Sequence, residues 1–131
     1  MSYYFNKVMK NKSFDEAIEA VTAALKAEGF GVLTEIDVKE TLKKKIDVDR
    51  TPYKILGACN PVIANDVLNI EPDVGLLLPC NVVLREVETG KVSVSLIDPE
   101  AMFTVVSNEE VKDKVDDVKQ RFNRIIKLIE A

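Results

Sequence analysis

The apolar positions of this chain follow two rhythms, one near two residues and one near 3.6, and their order predicts alternating strands and helices. "SYYFNKVMK" (2–10) reads as an opening strand. "SFDE" (13–16) then has the form of a capping box, with Ser13 placed to accept from the Glu16 amide while the Glu16 carboxylate reaches back. Phe14, Ala17, Ile18, Val21 and Leu25 follow at helical spacing, and Gly29 supplies a left-handed stop, so a helix is expected over about 14–28. "FGVLTEIDV" (30–38) alternates, which assigns Phe30, Val32, Ile36 and Val38 to one face of a second strand. Asp37 and Glu40 repeat the cap pattern ahead of a short basic helix, "VKETLKKKI".

"YKILGAC" (53–59) and "VGLLLP" (74–79) are apolar on both faces, as buried central strands are. "NVVLREVETGKVSVSLID" reads as a hairpin turning at Thr89 and Gly90, which sets Glu88 opposite Lys91 and Val87 opposite Val92. Val83, Val87, Val92, Val94 and Leu96 then share a face, interrupted only by Arg85. "SNEE" (107–110) caps a last helix over about 108–130, on which Val111, Val115, Val118, Phe122, Ile125 and Ile129 form one stripe. Its step of about 3.5 residues also fits a coiled coil, but a stripe under three heptads long does not separate that period from 3.6. Packing on the sheet is the expected arrangement. The fold class predicted is α+β: one two-layer domain over 1–131, with a mixed sheet of five to six strands and the two long helices on one face.

Composition narrows the function. The chain has 131 residues, enough to bury a core, and a net charge of −4 with acids and bases interspersed. No basic stripe with interleaved aromatics appears, so nucleic acid is not an expected partner. The opening "MSYYFNKVMKNKSF" lacks the apolar core of a signal peptide, and no stretch approaches the ~20 apolar residues that cross a bilayer. The expected compartment is the cytoplasm, with no membrane contact and with both cysteines reduced. Histidine is absent, which removes the commonest general base and metal ligand.

Candidate chemistry gathers at two Cys-Asn pairs, Cys59-Asn60 and Cys80-Asn81. Asn60 precedes Pro61, and the residues "VIANDVL" keep a helical rhythm with Ile63, Val67 and Leu68 inward, so Asn60 reads as an N-cap or as a ligand-binding amide. A thiol at such a helix start has its thiolate favoured unless apolar surroundings seal it. Asp98-Pro99 repeats the device after the hairpin. Asn81 has no helix to cap. It stands in an apolar run after Pro79, which points either to a bulge beside a functional site or to an amide that repairs the bulge.

"YKILGACNP", "GLLLPCNVVL" and the later "DP", with "FGV", "DVKETLKKK" and Glu71-Pro72, resemble the hallmark segments of the bacterial and archaeal "domain of unknown function 302" family over about Phe30 to Met102. The matching positions are Cys59, Asn60, Pro61, Leu78, Pro79, Cys80, Asn81, Asp98 and Pro99. The resemblance implies a small α+β domain that self-associates, and it supplies no reaction.

For metal, the two cysteines lack close Cys-x-x-Cys spacing, so no metal ligand and no cofactor is assigned; a soft ion between two thiolates is the one arrangement left. For catalysis, a Cys nucleophile would need a carboxylate base, and Asp37, Glu71, Asp73 and Asp98 are the candidates. The leading expectation is a binding or thiol-active module, in which Cys59, Asn60, Cys80 and Asn81 line a small polar pocket for a small-molecule ligand. The alternatives are a structural homodimer without a ligand and a Cys-dependent enzyme.

Overall fold

The computed structural model describes residues 2–129. Strands β1 (Tyr4–Lys10), β2 (Gly31–Asp37), β3 (Tyr53–Cys59), β4 (Cys80–Glu88) and β5 (Lys91–Ile97) form one sheet in the order β1-β5-β4-β3-β2. Every neighbouring pair is antiparallel, so the sheet is not mixed. Helices α1 (Phe14–Ala27), α2 (Val38–Ile46), α3 (Pro61–Ile70), α4 (Pro99–Met102) and α5 (Glu109–Leu128) complete the fold. A parallel neighbour needs a crossover along the whole sheet, whereas α2 and α3 return the chain near the end it left. Only α1 crosses the sheet, between the edge strands β1 and β2.

The expected strand at 74–79 does not form. Pro72–Leu77 is a 3-10 helix in which Val74 is buried and Leu76 is 88% exposed. An apolar run of that length suits a buried strand and a helical turn equally, and Pro72 at the first position favours the turn. Five strands remain.

Two bulges change which residues face the core. In β2 the pairing shifts between Val32 and Thr34, so Val32 pairs Ala58 on the covered face while Ile36 pairs Ile55 on the other. In the β4–β5 hairpin, Glu88 does pair Lys91, but Val92 pairs Glu86 and Val87 is the extra residue. The covered set is therefore Val82, Leu84, Val92, Val94 and Leu96, and Val83 and Arg85 point the other way. A bulge adds one residue to one strand and so exchanges the faces of everything beyond it.

α1 and α5 cover that face. Ser13 and Glu16 make both halves of the predicted capping box, and Gly29 takes the left-handed conformation at φ +84°. Asn108, rather than Ser107, caps α5. All six residues of the predicted α5 stripe are buried, and Phe122 meets Phe30 with ring centroids 5.1 Å apart. Each such apolar side chain contributes about 1.5–3 kcal/mol by leaving water. Arg121 donates to the Glu28 carbonyl at 2.8 Å, which ties the end of α1 to α5. The opposite face of the sheet carries neither long helix. Among the described residues no helix is long and apolar enough to cross a membrane.

Candidate functional site

The antiparallel β3–β4 ladder brings the two Cys-Asn pairs to one end of the sheet. Ala58 pairs Cys80 and Gly57 pairs Asn81, so Cys59 and Cys80 come to adjacent positions on neighbouring strands. Cys59 ends β3, and Asn60 turns the chain into α3. Its Oδ1 accepts from the Ile63 amide at 3.2 Å, the N-cap the sequence predicts.

Cys59, Asn60 and Cys80 line one cavity of about 40 Å³, walled by Ile63 of α3, Phe103 and Val115 of α5. Its lining is almost wholly apolar, in place of the polar pocket expected. The cause is tertiary: α5 lays its valines over the strand ends, and Asn60 spends its carbonyl on the helix it caps. Leu68, expected inward, lies on the outer side of α3 while Val67 faces the core.

Asn81 does not join this cavity. Successive strand residues point to opposite faces, so with Cys80 inward Asn81 stands exposed on the uncovered face. No bulge occurs at Pro79 or Asn81; the Leu78–Pro79 peptide is cis, and β4 begins directly after it. Asn81 therefore has no buried amide to satisfy.

Both thiols are held protonated. Burial pushes Cys80 up to about 12, with the neighbouring Cys59 adding to the effect, and burial also raises Cys59. The favourable influence of the α3 N-terminus on Cys59 is opposed by this desolvation. The four candidate bases have other work. Asp37 caps α2 by accepting from the Glu40 amide, and Asp98 caps α4 by accepting from the Glu100 amide. Asp98 also pairs with Lys119 of α5 at 3.3 Å. Glu71 joins α3 to the 3-10 helix, and Asp73 is exposed in that helix's first turn. None of the four lines the cavity. Among the described residues, no group of three or more Cys, Asp or Glu is placed to hold a metal ion.

Sequence reasoning missed the α5 and Phe103 walls, since no local pattern ties position 115 to position 59. It also missed a broad recess on the uncovered face, where Tyr53, Asn81 and Arg85 gather with residues of β1. An i, i+2 reading of "NVVLR" places Asn81 and Arg85 on one face and was the available signal.

A two-layer α+β domain with a thiol-lined cavity at the strand ends is the class these features define. The family model described as "Domain of unknown function DUF302" matches residues 5–129, and the chain belongs to that family. It is similar to the crystal structure of an uncharacterized conserved protein DUF302 from Bacillus stearothermophilus, at 29% identity and a TM-score of 0.88, over 99% of this chain and 100% of that one. No curated protein matches the chain.

Proposed function

We propose that this protein is a small-ligand-binding module whose cavity at Cys59, Asn60 and Cys80 takes an uncharged, apolar end of its ligand. The observation that carries this is the meeting of both thiols in one apolar recess open toward solvent between α3 and α5. Protonated thiols act there as soft, weakly polar lining rather than as nucleophiles. The raised thiols and the absence of a lining carboxylate favour binding over Cys-dependent catalysis. A reducing compartment such as the cytoplasm suits two free thiols.

Ala64→Leu, which fills the cavity from α3, provides the test. Native mass spectrometry of wild-type protein should show a small bound molecule that the filled variant lacks, and xenon-pressurised crystals should show xenon between α3 and α5 in wild type alone. No bound molecule on either protein, with no xenon in either, would reject the assignment.

A second reading is a homodimer. The edge strand β2 has Leu33 66% and Ile36 49% exposed, and an apolar edge with free backbone groups favours pairing with a second copy. Light scattering at micromolar concentration decides it: a dimeric mass supports β2 pairing only if Leu33→Lys reverts it to monomer.

A further inference from the structure

The uncovered face of the sheet has its own organisation. One row of side chains crosses all five strands, Asn6, Ser95, Val83, Ile55 and Ile36, each paired with the next. The adjoining row runs Val8, Ser93, Arg85 and Tyr53. Along these two rows no Asp or Glu occurs, although acids outnumber bases in the chain by 22 to 18.

Here the sheet holds a recess of about 310 Å³, lined by Tyr3, Tyr4, Tyr53, Asn6, Asn81 and Arg85 among others. That volume lies at the lower end of the roughly 300–1,000 Å³ of small-molecule pockets. Tyr3 and Tyr4 meet edge to face at 4.9 Å, and Tyr53 stands across from them. The donors are fixed. Asn6 donates its amide to Ser93 Oγ at 2.8 Å and Ser95 Oγ at 2.9 Å, and Ser95, which lines the recess, keeps its hydroxyl proton to donate in turn.

The cation decides the ligand class. Of the four arginines, Arg121 and Arg124 pair with Asp117 and Glu28. Arg50 and Arg85 have no carboxylate partner among the described residues, and both adjoin Tyr53: Arg85 as its register partner, Arg50 with its guanidinium 5.7 Å above the ring centroid. A guanidinium fork beside aromatic walls and hydroxyl donors matches a planar carboxylate, which Arg holds bidentately.

We infer that the uncovered face binds a small organic anion with a carboxylate on a flat ring, the carboxylate on Arg85 and the ring among Tyr3, Tyr4 and Tyr53. The site is separate from the thiol cavity, on the other side of the sheet, and does not depend on it.

The probes are benzoate, its uncharged isostere benzamide, and inorganic phosphate, each titrated into isotopically labelled protein while the side-chain resonances of Asn6, Asn81 and Arg85 are followed. Benzoate should shift all three saturably, benzamide and phosphate at least about tenfold more weakly, and Arg85→Gln should weaken benzoate by a similar factor with thermal stability unchanged. Tyr53→Leu should weaken benzoate more than phosphate. Equal binding of benzoate and benzamide, indifference to Arg85→Gln, phosphate binding as well as benzoate, or a stable dimer burying this face would each overturn the inference.

Discussion

Gly57 of β3 lies directly beneath the ring of Pro79: a Cβ at residue 57 would stand 2.7 Å from Pro79 Cγ and 2.0 Å from Thr34 Oγ1. The position is closed to any side chain, and the contact packs the Pro79 turn against the strand that carries Cys59. Gly57→Ala should therefore destabilise the protein by about 1–3 kcal/mol, the usual cost of overpacking, seen as a lower urea midpoint with an unchanged slope. A midpoint equal to wild type would show that Pro79 moves aside freely.

The two Cys-Asn pairs should respond unequally. Asn60→Ala removes the α3 cap and should cost about 1 kcal/mol, while Asn60→Ser keeps most of it. Asn81→Ala, at an exposed strand position, should stay within about 0.5 kcal/mol of wild type. Equal losses at both asparagines in chemical denaturation would contradict the placement of the pair on opposite faces.

Cys80 makes stability depend on alkaline pH. Its folded pKa lies above its unfolded value, so the unfolded chain loses the proton first, and the stabilisation present below the unfolded pKa fades as pH rises. From pH 9 upward the loss should approach about 1.4 kcal/mol per pH unit for this thiol. Lysines and tyrosines titrate in the same range, so the measured quantity is the difference in slope between wild type and Cys80→Ala. Parallel curves would mean the thiol is not held protonated.

Reagent access follows from the same burial. In the folded protein at pH 7.5, the bulky dianion DTNB should modify neither thiol at the rate of the unfolded chain, and the small neutral methyl methanethiosulfonate should reach Cys59 before Cys80, because Cys59 is the less buried. Rapid DTNB reaction with folded protein would show a thiolate the structure does not support.

The hairpin bulge has its own consequence. Val87 is the extra residue and is 42% exposed, so Val87→Lys should change the melting temperature little, whereas Leu84→Lys should prevent folding. An unbulged hairpin would bury Val87, and a large loss at that position would favour it.

Local signals were readable wherever a residue acts on its own neighbours. The Ser13–Glu16 box, the caps at Asp37, Asn60 and Asp98, the Gly29 stop and the α5 stripe all satisfy backbone groups within four residues or repeat at helical spacing. The bulges at Leu33 and Val87 left no such mark, because alternation shows a period and not where it slips. "VGLLLP" deceived for the related reason that an unbroken apolar run has no period at all.

The sequence by itself determined where the helices start, the positions of all five strands and the candidate status of both cysteines, since these rest on spacing and on short-range hydrogen bonds. Tertiary structure alone decided that Cys59 and Cys80 share a cavity, that this cavity is apolar, and that Asn81 and Arg85 belong to the opposite face. Strand pairing and the lie of α5 set those outcomes. They depend on contacts between residues far apart in the chain, which a local pattern does not encode.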